Sequence, residues 1–375
     1  MKAAAVALLV AGLLAGCGTS GTAAPSGSST GQPAAQASPI QSAEIQRLLD
    51  AARNDHETEL GISWAESSLG GSVGAKAFEG VFNNLYGTNI KINFTPGPSI
   101  PDVTGKVTQE LAAGQKSSTD VLITADTTLA PVLDRDLLEP YDYTQLSPRI
   151  TSKFLAPKNL SVEVVSLVPG ITYNTNLVQP ADVPKKMEDV LNPKWKGKIA
   201  TTPYVTGFDR IALRPEWTPQ KVKDYMAKLT TNLGGLIRSG EEPRIATGEF
   251  AMMVLDTGFH QAQKQIVKGA PLQQVIPQDA GTVGFLYLGV PRNSAHPNLA
   301  KLYINALMTE QGQAALYTVA FLDHYELAGS RLAAELKQRG VDPSTFLRTD
   351  VAFVAAHPEL SQLQLELQKM VTEQK

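Results

Sequence analysis

From residue 59 onward, short apolar runs alternate with longer stretches in which apolar positions recur every three or four residues, the signature of strands followed by helices. Glu59-Leu60-Gly61-Ile62-Ser63-Trp64 reads as a first strand, followed by a Gly/Ser-rich loop and a helix carrying Val73, Ala77, Phe78, Val81, Phe82 and Leu85. A second strand at Ile90-Lys91-Ile92-Asn93-Phe94 leads through Thr95-Pro96-Gly97-Pro98-Ser99 into a helix over about 102–113. A third at Asp120-Val121-Leu122-Ile123-Thr124 leads into a helix with Leu129, Val132 and Leu133. Three such units in succession predict a parallel sheet with right-handed crossovers.

The pattern then changes. Residues 161–168 form a long apolar strand that reads as a crossing into a second lobe, and residues 281–291 form another that returns the chain, so two crossings make a hinge. Between them lie Tyr173-Asn174-Thr175, a strand ending at Thr202 to Gly207, a helix from Thr218-Pro219 with Val222, Tyr225, Met226 and Leu229, and a strand over 250–255. Helices follow near 298–308 and 310–317. The amphipathic tail over 357–374 is expected to dock Leu360, Leu363, Leu365, Leu367 and Met370. The division is 58–165 plus 284–325 for the first lobe and 166–283 plus 326–375 for the second. A length of 375 residues with 43% hydrophobic content supports two cores, since one core stops growing at roughly 250–300 residues.

The N-terminus is of another kind. Lys2, the apolar run 3–14 and Ala15-Gly16-Cys17 have the layout of a secretory signal, too short to span a bilayer. Leu14-Ala15-Gly16-Cys17 also resembles a bacterial lipobox, which makes 1–17 the signal and Cys17 the lipidation site, placing the mature chain in the periplasm or on the cell surface. Residues 18–39 are small and polar and form a flexible tether, and 40–57 a leading helix with Ile45, Leu48, Leu49 and Ala52 on one face. The even mixture of 33 basic and 36 acidic residues, net −3, gives no footprint for nucleic acid.

Catalytic signatures are missing. There is no Gly-x-Ser-x-Gly elbow, no phosphate-binding glycine loop, and the one cysteine is taken by the lipobox. The histidines are scattered; Asp256 and His260 stand four apart, a spacing that suits a structural pair on a helix better than a metal site. Polar clusters recur instead at strand ends: Glu66, Ser67 and Ser68; Ser99; Asp126; Tyr173; Thr202, Tyr204 and Thr206; Asp256 and Thr257. Each alone reads as a turn or helix cap. Their recurrence after successive strands suggests the two walls of a cleft for a desolvated anion or polyol, with Arg210, Arg238 and Arg244 as possible anion partners. No cofactor is expected.

Gly170-Ile171-Thr172-Tyr173-Asn174-Thr175-Asn176-Leu177, Pro193-Lys194-Trp195-Lys196-Gly197-Lys198, His296-Pro297-Asn298-Leu299-Ala300-Lys301 and Thr309-Glu310-Gln311-Gly312-Gln313 resemble the extracellular solute-binding proteins of bacterial ABC importers, in the branch of the ferric-ion binders. The resemblance runs from about 59 to 317. It implies an α/β fold of type II, two lobes around a central cleft that closes on a small molecule, and a membrane permease as partner for a monomeric, lipid-anchored receptor rather than an enzyme. Ferric binders of this branch use adjacent tyrosines where this chain has Asp256-Thr257-Gly258-Phe259-His260, so a small polar or anionic solute is expected ahead of iron. A sensor for a membrane signalling partner is the other alternative.

Overall fold

A computed structural model describes residues 42–373 except Thr206; Cys17 and the tether lie outside the described residues. Helix α1 (Ala43–Asn54) starts where Ser42 accepts a hydrogen bond from the Ile45 amide at 3.1 Å. Its Ile45, Leu48, Leu49 and Ala52 face is buried in the first core. Strands β1 (Glu59–Trp64) and β2 (Lys91–Pro96) are parallel, with Glu59 opposite Lys91 and Trp64 opposite Pro96. Helices α2 (Gly71–Tyr86) and α3 (Ile100–Ala112) follow them. β3 (Leu122–Ala125) leads into the short α4 (Asp126–Leu129), and β4 (Val162–Leu167) ends this half.

The chain then crosses through Val168-Pro169-Gly170 into a five-stranded sheet. It consists of β5 (Ile171–Asn174), β6 (Ile199–Thr201), β7 (Leu233–Leu236), β8 (Met252–Val254) and β9 (Leu272–Val275), in the order β7-β6-β8-β5-β9. β6 is parallel to β7 and β8, whereas β5 runs antiparallel to β8 and β9. Its helices are α5 (Phe208–Ile211), α6 (Pro219–Asn232), α7 (Pro243–Ala246) and α8 (Phe259–Ile266). The chain returns through β10 (Thr282–Gly289), buried along its whole length and antiparallel to both β3 and β4. The first lobe therefore holds a parallel β1-β2 pair and a separate sheet in which β10 runs antiparallel to β3 and β4, not the single parallel sheet that three strand–helix units predict. The long return strand inserts between β3 and β4, which no local pattern encodes.

Helices α9 (Pro297–Met308) and α10 (Glu310–Ala320) pack on the first core, with Leu299, Tyr303, Leu307 and Leu316 buried against Phe78 and Phe82. After α11 (Arg331–Gln338) comes β11 (Leu347–Arg348), parallel to the start of β10. Leu332, Leu336 and Val351, the last on α12 (Val351–Ala356), share a cluster with Leu137 and Tyr287. Helix α13 (Glu359–Thr372) instead closes the second core, beside Trp217, Tyr225 and Phe208.

The docking face of α13 is Leu360, Leu363, Leu367 and Val371; Leu365 is 54% exposed and does not belong to it. Its position two residues from Leu363 and Leu367 turns it about 160° away from the seam. Leu367→Ala is accordingly expected to cost about 2–5 kcal/mol in chemical unfolding, while Leu365→Ala stays within about 0.5 kcal/mol.

Candidate functional site

Strand direction decides which polar clusters meet. The carboxyl ends of β6 and β8 share the sheet edge that carries both crossings, because Ile171 pairs with Val254 and with Val275. β5 runs the other way, so Tyr173, Asn174 and Thr175 lie toward the opposite edge. Asn174 there donates to the carbonyls of Ile245 and Ala246, and Thr175 to that of Pro271. Tyr173 therefore lies toward the opposite end of the sheet from Thr202, since β5 is antiparallel to its neighbours, while Arg339 acts on both Tyr173 and Asp256.

Asp126, the first residue of α4, meets Arg210 of α5 across the lobes. Arg210 Nη2 donates to Asp126 Oδ1 at 2.7 Å, and Nη1 to Thr349 Oγ1 at 3.3 Å. Thr349 donates onward to the Val283 carbonyl of β10 at 3.0 Å. Both charges are almost fully buried. Burial pushes the Asp126 carboxyl up against the pull of Arg210, and it pushes Asp209 up as well. Burial disfavours the Arg210 cation, but Asp126 and Asp209 more than offset this and hold it charged. Several buried polar atoms of the pair, of its neighbour Asp209 and of the strands that lead toward it make no hydrogen bond within the protein: Asp126 Oδ2, Arg210 Nε, Asp209 Oδ1, Thr202 Oγ1 just past β6 and Thr124 Oγ1 on β3. Unpaired buried polar groups are costly and concentrate where ligands are received.

Gly284 makes room for this pair. A Cβ there would lie 2.9 Å from Arg210 Nη1 and 3.0 Å from Asp126 Oδ2. Gly284→Ala is expected to destabilise by about 1–3 kcal/mol, and a double-mutant cycle should show most of that cost vanishing in an Arg210→Ala background.

The first lobe's other strand ends are more exposed. Glu66 accepts from the Ser72 amide and hydroxyl at 3.0 and 2.5 Å, closing the turn over Leu69, Gly70 and Gly71, all in the left-handed region. Those bonds hold its carboxyl below the usual range. Ser67 and Ser68 form the same turn, and Ser99 donates to Asp102 at 2.6 Å at the start of α3. These residues hold helix starts at the carboxyl ends of β1 and β2.

In the second lobe, Asp256 is fully committed to structure. It accepts from the amides of Gly170 and Gly258, from Thr172 Oγ1 and from Gln274 Nε2, pinning the first crossing to β9. Helix α8 begins only at Phe259, so Asp256 and His260 do not share a helix face. His260 is buried, which drives its pKa down to about 3. Thr257 donates to Ser239 at 3.3 Å, Gln261 to Ser239 at 3.0 Å, and Lys264 to Gln261 at 3.2 Å. Beside them Glu242 is 1% exposed with neither carboxylate oxygen partnered, and burial raises its pKa to about 7. Tyr204 is partly exposed at the rim, its carbonyl held by Gln364 and Gln368 of α13. Thr206 lies outside the described residues. Val205 and Leu255, just past β6 and β8, have φ of 47° and 48°. For a β-branched valine that is a strained conformation, of a kind held by surrounding structure at binding sites.

Of the three arginines weighed from the sequence, Arg210 is buried between the lobes, Arg238 is exposed, and Arg244 forms a surface fork with Glu249 at 2.8 and 2.6 Å. Sequence reasoning missed Asp209, Thr124, Thr349, Glu242 and Lys264. The signal for the first was an acidic–basic pair inside the apolar turn Phe208-Asp209-Arg210-Ile211, where two charges on a buried helix imply partners from elsewhere. Among the described residues no group of three or more His, Cys, Asp or Glu is placed to hold a metal ion, and no helix is long and apolar enough to cross a membrane.

A family model described as bacterial extracellular solute-binding protein matches residues 75–323. No curated protein sequence matches. Among solved structures, iron-bound HitA from Pseudomonas aeruginosa is similar at 16% identity and a TM-score of 0.63, over 83% of this chain and 99% of that one. AfuA from Actinobacillus pleuropneumoniae, with fructose-6-phosphate bound, is similar at 19% identity and 0.65, over 84% and 99%. The spermidine/putrescine transporter protein PotD from Streptococcus pneumoniae is similar at 18% and 0.58, over 84% and 100%. At these identities the likeness is one of fold, the two-lobed type II periplasmic-binding architecture.

Proposed function

The chain belongs to the bacterial extracellular solute-binding proteins, and we propose on that premise that its inter-lobe cleft captures a small polar or anionic solute and hands it to an ABC importer permease. It is a transport protein that works outside the cytoplasm, in the periplasm or at the cell surface. Closure of the lobes is the whole mechanism, and no covalent step is required.

The observation that supports an anion is Arg210, a guanidinium buried between the lobes, held charged, and keeping one nitrogen without a partner. A guanidinium in such a place pairs with carboxylate or phosphate oxygens in a fork that lysine cannot reproduce. In the structure Asp126 supplies that oxygen. The solute's anion takes its place, and the unpartnered hydroxyls of Thr202 and Thr124 are further donors. Glu66, Ser67, Ser68, Ser99, Tyr204 and Thr257 complete the proposed walls, while Asp256 holds the hinge.

Of the similar structures two carry iron and another a sugar phosphate. Iron has less support here, because Asp256 accepts from four donors and no group of three or more His, Cys, Asp or Glu among the described residues could hold a metal ion. We also propose that Cys17 carries a lipid and that the receptor acts as a monomer. Calorimetric titration of carboxylated and phosphorylated solutes into wild type and Arg210→Ala tests the reading. Equal affinities in the two proteins, or binding confined to cations, overturn it.

A further inference from the structure

Beyond the Arg210 pair, the same sheet edge holds a second set of buried and half-buried polar groups. Glu242 precedes α7, past the end of β7, and Lys264 lies on α8, past the end of β8. Glu242 is buried at 1% exposure, and neither of its oxygens makes a well-aligned hydrogen bond among the described residues, although the nearby backbone of Gly240 and Glu242 favours its charged form. Lys264 is held by Gln261 Oε1 at 3.2 Å instead of by the carboxylate. The two charges nonetheless act on each other, each moving the other toward its ionised form. Gln261 and Thr257 both point donors at Ser239.

An unpaired acceptor and a nearby donor that do not meet fit one kind of group well. A hydroxyl donates one hydrogen bond and accepts another, and adjacent hydroxyls can satisfy a carboxylate and an ammonium at once. A bare hydrocarbon would leave the Glu242 oxygens orphaned, and a second anion would face Glu242 directly. β7 and β8 flank β6, and Arg210 lies on α5, which follows β6, so the two sets lie past the same edge of the sheet.

We infer that Glu242 and Lys264, with Ser239, Thr257 and Gln261, form a hydroxyl-recognising half-site, so that the solute is a hydroxylated anion of the sugar-acid or polyol-phosphate class. The inference rests on the proposed anion reading of Arg210 and adds the second functional group. Glu242, whose carboxyl burial holds near neutrality, becomes the charged acceptor once a hydroxyl donates to it.

Four probes separate the parts: D-gluconate, sorbitol 6-phosphate, hexanoate and sorbitol, titrated calorimetrically into wild type, Glu242→Gln and Arg210→Ala. The first two distinguish carboxylate from phosphate as the anion. At least one of them is expected to bind at least about tenfold more tightly than hexanoate, and Glu242→Gln to erase most of that preference. Retention of the wild-type circular dichroism spectrum and melting transition shows that the variant folds. If hexanoate binds as well as the hydroxylated anions and Glu242→Gln changes neither, the half-site is wrong while the anion reading stands. If sorbitol binds as tightly as the anions and Arg210→Ala has no effect, the anion reading fails and with it the proposed solute class. Binding by none of the four overturns the inference.

Discussion

Arg210→Ala is expected to weaken anionic solutes by about a hundredfold or more, and Asp126→Asn to strengthen them severalfold. The first follows from removing a desolvated guanidinium, since deleting one partner of a buried charged hydrogen bond costs about 2–5 kcal/mol. The opposite sign of the second follows from competition: Asp126 and the solute require the same nitrogens, so a neutral amide at 126 releases them. Stability responds differently. Without Arg210 the Asp126 carboxylate would be buried and unpaired, at a cost of about 3–5 kcal/mol, but separation of the lobes lets water reach it. The loss in unfolding free energy is therefore capped by the free energy of opening. The alanine variant should scatter X-rays with a larger radius of gyration than wild type, with a smaller change in unfolding midpoint than a broken core ion pair gives. Equal weakening of binding by both substitutions would show that Asp126 belongs to the solute site and does not compete for it.

Local order was readable from the sequence wherever one period dominated. α6 begins at Pro219 behind a Thr218 cap, and α9 at Pro297, as the proline and cap positions suggest. What could not be read was strand direction. Tyr173 and Thr202 are both polar strand ends, yet antiparallel β5 sends them to opposite edges. Asp256 shows a second limit: a polar cluster at a strand end looks the same whether four protein donors saturate it or a ligand does. Arg210 and Glu242 show the converse, because their significance lies in burial produced by long-range packing, to which hydrophobic periodicity is blind. Leu365 shows a third limit, since counting leucines ignores their angular positions around the helix.

The unfolding free energy of the unliganded protein is expected to be nearly flat between about pH 4.5 and 6.5, where two residues oppose each other, and to fall steeply below that range and slightly above it. His260 is neutral when folded, with a pKa of about 3 against about 6.5 in the unfolded chain. Between those values the unfolded chain binds a proton that the folded one refuses, so stability present above pH 6.5 is lost as pH falls, by up to about 4–5 kcal/mol at pH 3. Glu242 acts in the other direction. Its folded pKa of about 7 exceeds its unfolded value of about 4.5, so the folded state holds a proton that the unfolded state releases, and stability falls as pH rises from 4.5 to 7, by about 3 kcal/mol. Asp256 raises the Glu242 pKa further, Lys264 lowers it, and Tyr204 faces it from the rim. Denaturant titrations from pH 3.5 to 8.5 separate the two residues. His260→Gln should remove the acid limb and uncover a decline from pH 4.5 to 7 that His260 cancels in the wild type. Glu242→Gln should abolish the fall above pH 6.5, extend the rise up to pH 6.5 and leave the variant more stable than wild type at pH 8; a wild-type profile in that variant would mean that Glu242 titrates as an ordinary carboxylate. Saturation with a hydroxylated anion should flatten the same decline in the wild type, because the donated hydrogen bond restores the charged form that burial alone disfavours.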